Sequence, residues 1–194
     1  MQAPTFEKSI AELKSVLDLC APLANPVHEA GSRIQHSLLQ GKKLLSCGNG
    51  GSAADALHLA EELVGRYKIE RRALPGICLN ADATALTCIC NDYGYEHVFS
   101  RPVEALGSAG DVLVGFSTSG NSANIIAAFH AAAKRNITTI LLGGRDGGQA
   151  KNCCDLAIIV PSDSTARIQE VHTLILHQWL ELLDATNWDT LPLP

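Results

Sequence analysis

The chain has few aromatic residues, no run of basic residues and no long apolar segment, and each lack closes off a class of function. Phe, Trp and Tyr make up 5% of its 194 residues. Lys and Arg number 15 against 20 Asp and Glu, a formal net charge of −5. Basic side chains neither cluster nor alternate with aromatic ones, so a nucleic-acid partner has no electrostatic support. Without a membrane-length apolar stretch or an apolar leader, the expectation is a cytoplasmic protein with no membrane partner. The seven cysteines, Cys20, Cys47, Cys78, Cys88, Cys90, Cys153 and Cys154, are odd in number and lack metal-site spacing. They read as reduced core residues in apolar stretches.

What is present points to an α/β fold. An apolar content of 46% suits one globular domain with a continuous core. Residues 44–47 form a short apolar run that ends in Gly48-Asn49-Gly50-Gly51-Ser52, which reads as a strand, a tight turn and a helix start. Such a turn presents backbone N–H groups at the positive end of a helix, where an anionic or hydroxyl-rich ligand can sit; the plain alternative is a βα turn without a ligand. On the helix that follows, His58 and Glu62 are one turn apart on one face. They can share a metal ion, act as acid and base on one substrate, or form an exposed ion pair.

Two amphipathic helices precede the first strand. Ile10, Leu13, Val16, Leu17 and Cys20 mark the first over residues 6–23, which Pro22 and Pro26 end. Val27, Ala30, Ile34 and Leu38 mark the second over residues 27–39. An apolar arm of this kind can hold subunits together, so an oligomer is expected. Further along, strands are predicted at 76–79, 111–116, 137–142 and 156–160, with a short helix at 82–89 and a polar, ligand-facing turn at 90–95. The helix at 96–106 begins or restarts near Ser100 because of Pro102. Ser117-Thr118-Ser119-Gly120-Asn121-Ser122 puts four hydroxyls and a glycine between a strand and a helix N-terminus, a donor set suited to phosphate.

Strands alternating with helices imply a three-layer, doubly wound α/β sandwich with a five-stranded parallel sheet. In that architecture ligands bind beyond the carboxyl ends of the strands, where both loops lie. The expected organisation is a helical arm at 1–40, a sandwich domain at 41–185 and a loose tail at 186–194. The last helix, 165–183, carries Gln169, His172 and His177 beside an apolar stripe, where histidine is more often a packed residue than a ligand.

Five ordered stretches together carry a resemblance: Cys-Gly-Asn-Gly-Gly-Ser at 47–52, His-Leu-Ala-Glu-Glu-Leu at 58–63 with Gly65-Arg66-Tyr67, Asn91-Asp92, Ser-Thr-Ser-Gly-Asn-Ser at 117–122, and Arg-Ile-Gln-Glu-Val-His at 167–172. The chain resembles the sugar isomerase (SIS) domain family, and within it the isomerases of phosphorylated heptoses. The resemblance implies one Zn2+ per subunit at His58, Glu62, Gln169 and His177, and an acid/base pair at Glu62 and His177. It implies a substrate held by Asn49, Gly50, Gly51, Glu62, Asn91, Asp92, Ser117, Thr118, Ser119, Ser122 and Gln169. The implied reaction turns D-sedoheptulose 7-phosphate into D-glycero-D-manno-heptose 7-phosphate, in a homotetramer that supplies lipopolysaccharide or a related glycan. Two other kinds of SIS protein, one binding the replication initiator and one sensing sugar phosphates, are alternatives, and the retained Glu62 and His177 count against both. Gln169 and His177 lie eight residues apart, about 12 Å along a straight helix, which is far for two ligands of one ion. Either the helix starts irregularly at Gln169 or two chains share one site.

Overall fold

The computed structural model describes residues 5–188. Its elements in chain order are α1 (Phe6–Leu19), α2 (Ala24–Leu39), β1 (Leu44–Gly48), α3 (Gly51–Val64), β2 (Gly76–Cys78), α4 (Ala83–Tyr93), α5 (Ser100–Leu106), β3 (Val112–Ser117), α6 (Ala123–Ala133), β4 (Thr138–Gly144), β5 (Leu156–Val160) and α7 (Thr165–Asp184). The five strands form one parallel sheet in the order β2-β1-β3-β4-β5. Chain direction across the sheet reverses between β1 and β3, the switch point at which such sheets open a crevice for ligands.

Alternation along the strands builds two cores. Leu44, Val112, Val114, Phe116, Ile140, Leu142, Ile158 and Val160 face α2, α3 and α7. Leu45, Cys47, Leu113 and Leu141 face the opposite way, onto Val98, Phe99, Val103, Ile125 and Phe129 of the α5 and α6 side. Burial on both faces explains the unbroken apolar runs of the central strands. The helix α2 is part of the first core through Ala30, Ile34 and Leu38, and Gly31 lets α7 come close: a Cβ there would lie 3.0 Å from both Trp179 and Leu182. By contrast, α1 buries only Val16.

Several boundaries differ from the sequence reading for local reasons. The first helix stops at Leu19, a 3₁₀ turn spans Ala21–Leu23, and α2 begins at Ala24, before Pro26. Pro26 falls in the first turn, where a missing N–H costs nothing because those donors have no intrahelical partner. The helix expected at 82–89 continues to Tyr93, so residues 90–93, with Asn91 and Asp92, are the last turn of α4 rather than a polar turn. Asp82 caps it, accepting the N–H groups of Thr84 and Ala85 at 2.9 Å, and Gly94 with φ 88° stops it. The cysteines are free but not all core residues: Cys47 and Cys78 are buried, Cys20, Cys153 and Cys154 half-buried, and Cys88 and Cys90 exposed on α4. Residues 189–194, most of the expected loose tail, lie outside the described residues. Just before them, Trp188 is buried and its indole N–H donates to the Leu183 carbonyl at 2.8 Å. Among the described residues no helix is long and apolar enough to cross a membrane.

Two buried polar groups fix α7. Arg71 and Asp184 form an ion pair at 3.1 Å with side chains only 3% and 7% exposed. Arg71 also donates to the Glu62 and Leu63 carbonyls at the end of α3, and Asp184 accepts the N–H groups of Lys68 and Ile69. The segment between α3 and β2 is thereby clasped to both helices. His172 is fully buried; its Nε2 lies 3.0 Å from the Gly143 carbonyl, and burial pushes its pKa down from the ordinary 6.5 to about 4.

Both groups give measurable expectations. Asp184→Ala leaves a buried guanidinium uncompensated and is expected to lower unfolding free energy by about 3 kcal/mol, read as a drop in urea midpoint. Because the unfolded chain binds a proton at His172 that the folded chain refuses, stability falls as pH drops from 6.5 toward 4. Between pH 7 and 5 this one group is expected to account for about 2 kcal/mol, and His172→Phe should flatten the urea-midpoint profile by that amount.

Candidate active site

The glycine turn after β1 is held rigidly. Gly48 donates its N–H to Asn80 Oδ1 at 3.1 Å and accepts from Asn80 Nδ2 at 2.9 Å, so an amide side chain takes the place of a neighbouring strand. A Cβ at Gly48 would lie 2.2 Å from the Ser52 carbonyl, which is why the chain can turn directly into α3 only with glycine there. Asn49 pairs its amide reciprocally with that of Asn124, both bonds at 2.9 Å, and its Oδ1 also accepts the Tyr95 hydroxyl at 2.7 Å. Asn124 is 2% exposed in the first turn of α6, so this pair ties the glycine turn to the second loop.

That second loop, residues 117–122, leaves β3 beside it. Ser117 Oγ lies 3.3 Å from Ser122 Oγ and accepts the Gly120 N–H at 3.2 Å, and Ser119 Oγ accepts the Asn121 N–H at 3.2 Å. Ser122 stands at the N-cap of α6 without spending its hydroxyl on the cap. The first-turn N–H groups of α6 and several hydroxyls therefore converge beyond the end of β3, the constellation that holds a phosphate. The loop after β4 backs it: Gln149 donates its N–H to Asn121 Oδ1 at 3.1 Å and Ala150 donates to the Gly120 carbonyl at 2.8 Å. Gly120 has φ 64°, and a Cβ there would come within 1.9 Å of the Gly147 carbonyl. Gln169 reaches the same rim from α7; its Nε2 is 3.5 Å from Ser52 Oγ, and a Cβ on Gly51 would touch it at 2.5 Å. Asn91 and Asp92 are exposed and bonded to each other at 2.7 Å, on a segment joined to the rim through Tyr95.

A second cluster lies on the flank where α3 and α7 run side by side. His58 Nε2 is 3.5 Å from Glu62 Oε1. From α7 the His177 ring meets the His58 ring edge-on at 5.1 Å, and Tyr67 stacks on it at 5.4 Å. Burial and then the His58 charge push the His177 pKa down, while Glu62 pulls it up. Glu61 belongs here as well: His58, Glu61 and Glu62 each offer a ligand atom within 4.8 Å of the others. One turn above His58, Asp55 is 8% exposed; its Oδ1 accepts the Thr173 hydroxyl at 3.1 Å and its Oδ2 is buried without a partner among the described residues. Burial raises the Asp55 pKa. Imidazole and carboxylate donors beside an orphaned carboxylate oxygen fit a divalent metal of the zinc type.

The expected site thus falls into two parts within one chain. Asn49, Gly50, Gly51, Ser117, Thr118, Ser119, Ser122 and Gln169 belong to the rim, and His58, Glu62 and His177 to the flank. Ser52 and Glu62 are separated by ten residues of α3, about 15 Å of rise, and Gln169 and His177 by about 12 Å of α7, which is regular from Thr165. An irregular start to α7 is therefore not how Gln169 and His177 come together. Asp55, Glu61, Asn80, Tyr95 and Asn124 were not singled out from the sequence. An Asp at the third residue before His58 and an Asn in the first turn after the serine loop were the available signals for two of them.

Comparison with known proteins agrees with this geometry. The SIS domain pattern matches residues 6–144. A phosphoheptose isomerase of Nitratiruptor sp. is 57% identical over 180 residues, 93% of this chain and 91% of that protein. One from Aliarcobacter butzleri is 48% identical over 184 residues, covering 95% and 97%. Among solved structures, a phosphoheptose isomerase from Neisseria gonorrhoeae superposes with TM-score 0.87 at 44% identity, over 92% of this chain and 96% of that one. With its parallel five-stranded sheet, its two loops at the switch point and relatives matched along almost their whole length, the chain belongs to the SIS domain family, on its phosphoheptose isomerase branch.

Proposed function

We propose that this protein is an aldose–ketose isomerase that converts D-sedoheptulose 7-phosphate to D-glycero-D-manno-heptose 7-phosphate in the cytoplasm, supplying heptose for lipopolysaccharide or a related surface glycan. The observation that carries the reading is the convergence of Glu62, His58 and His177 from two helices, in a chain whose close relatives bear that enzymatic name. In the open-chain ketose the C1 proton is acidified by the C2 carbonyl. Glu62 removes it, leaving a cis-enediol, and returns it to C2; His177 moves a proton from the C1 hydroxyl to the C2 oxygen, so that the carbonyl ends on C1. The rim holds the rest of the sugar: hydroxyls of Ser117, Thr118, Ser119 and Ser122 and the α6 N-terminus take the 7-phosphate, while Asn49, Gly50, Gly51, Asn91, Asp92 and Gln169 bind along the chain of carbons. Fixing the phosphate sets the reacting carbons against the acid and base.

His58, Glu62 and His177, with Gln169 as a fourth donor, would hold a zinc ion, which would supply a Lewis acid for the carbonyl. Glu61 is an additional donor close enough to join or replace one of these. The distance along α7 argues that Gln169 comes to the metal set from a second subunit, and the surface favours such an assembly, a homotetramer. Phe6 is 77% exposed, Leu174 54%, and Ile10 and Leu17 about 40%, beside an apolar groove between α2 and α7 lined by Val27, Gly31, Trp179 and Leu182. The relatives' shared name and the intact Glu62 and His177 weigh against a replication-initiator binder or a sugar-phosphate sensor.

Incubation with sedoheptulose 7-phosphate and zinc in D₂O, followed by NMR, is expected to yield an aldoheptose 7-phosphate carrying deuterium at C2. An unchanged ketose with no C1 exchange would remove the isomerase reading. Glu62→Gln is expected to lower kcat at least about a hundredfold with an unaltered melting temperature; retained turnover would take Glu62 out of the base role. Leu17→Glu combined with Leu174→Glu is expected to dissociate the assembly in sedimentation and to weaken zinc binding about tenfold or more. Monomers that bind zinc with full affinity would place all ligands in one chain.

A further inference from the structure

His172 is the one histidine of α7 that the isomerase reaction leaves unused, and it occupies a particular place. It lies where β3 and β4 end together: the register pairs Phe116 with Leu142 and Ser117 with Gly143. Its Nε2 is 3.0 Å from the Gly143 carbonyl, and its ring meets Phe116, the residue just before the serine loop, edge-on at 6.0 Å. The ring is 0% exposed and stays neutral at ordinary pH. Since a carbonyl can only accept, the proton sits on Nε2, and Nδ1 is left as a buried acceptor with no partner among the described residues. An unpaired buried nitrogen is a desolvation cost that an apolar side chain of the same shape would not incur. A purely space-filling role would favour phenylalanine, so the hydrogen bond to Gly143 is what the histidine adds.

From Gly143 the chain runs directly into the loop that backs the serine loop. Gly144 packs against Ile168 of α7, with a Cβ position 2.4 Å from its Cδ1. Three residues on, the Gly147 carbonyl abuts Gly120, then Gln149 and Ala150 donate to Asn121 and to the Gly120 carbonyl. The serine loop touches the body of the protein through these contacts and through β3 itself, and His172 grips both.

We propose that His172 is a positioning residue for the phosphate-binding loop, holding the ends of β3 and β4 in the register that aims Ser117–Ser122 at the sugar phosphate. This rests on the phosphate assignment made above and extends it to a residue that touches no substrate. His172→Phe keeps the shape and removes the donor; His172→Gln restores an N–H for Gly143. Asn121→Ala removes the acceptor for Gln149 and loosens the same brace from its other end.

Kinetics with sedoheptulose 7-phosphate and binding of inorganic phosphate by 31P NMR are measured on the zinc-loaded proteins. In His172→Phe and in Asn121→Ala, KM and the phosphate dissociation constant are expected to rise about tenfold with kcat within about threefold, and His172→Gln should recover most of the loss. A fall in kcat with unchanged KM and phosphate binding, or a glutamine variant no better than phenylalanine, overturns the proposal. If His172→Phe does not fold, the other two decide: unaltered phosphate binding in Asn121→Ala overturns it, and a selective loss there with near-normal His172→Gln supports it. Phosphate binding reads the loop independently of turnover, so a wild type that binds phosphate without isomerising the sugar fails the enzymatic reading and leaves the positioning role standing.

Discussion

Parallel pairing of β3 with β1 on one side and β4 on the other sets the position of everything functional in this chain. The registers put Gly48 level with Phe116 and Ser117 level with Gly143, so each of the three strands ends within one residue of its neighbour. Each end opens into a loop that could not be held alone. The glycine turn leans on Asn80, the serine loop leans on the loop after β4, and Asn49 and Asn124 join the first two across the switch point. A shift of one residue in the register of β3 would turn its side chains to the wrong core and separate the three loop roots at the same time.

The two long helices on the same face carry this arrangement away from the rim. From the glycine turn, α3 runs to His58 and Glu62, and α7 runs beside it from Gln169 to His177. Their rise of 1.5 Å per residue sets Glu62 about 15 Å from Ser52 along α3 and His177 about 12 Å from Gln169 along α7. A single chain therefore presents two separate clusters of polar groups: backbone and hydroxyl donors at the rim, imidazole and carboxylates on the flank. Apolar side chains on α1 and α7, Phe6, Ile10, Leu17 and Leu174, remain exposed in the single chain.

Polar groups buried beside these helices show the same economy of support. Arg71 and Asp184 lock the segment that brings Tyr67 onto His177, and they do so with every exchange accounted for by backbone groups of α3 and of the segment itself. Asp55 and His172 are different, since each keeps one buried atom without a partner among the described residues. Asp55 lies next to the His58, Glu61 and Glu62 cluster and His172 at the root of the serine loop. Unpaired buried atoms are costly in a core that serves packing alone.

The sequence alone determined the layers, the five parallel strands and the two loops, because those follow from local signals: apolar runs of strand length, glycine and hydroxyl clusters at their ends, and helical periodicity between them. It also carried the pairing of His58 with Glu62, since helix geometry fixes neighbours four residues apart. It misjudged residues 90–93 because Cys-Asn-Asp-Tyr has the composition of a turn, whereas the helix continues until Gly94 provides a positive φ. It placed Cys88 and Cys90 in the core because apolar neighbours do not say which side of a helix faces water. Tertiary structure decided the contacts between residues remote in the chain: Asn49 with Asn124, His177 with His58 and Tyr67, Gln169 with the glycine turn rather than with His177. Those depend on how two helices lie across a twisted sheet, a relation set by packing of the whole core and written in no single stretch of the sequence.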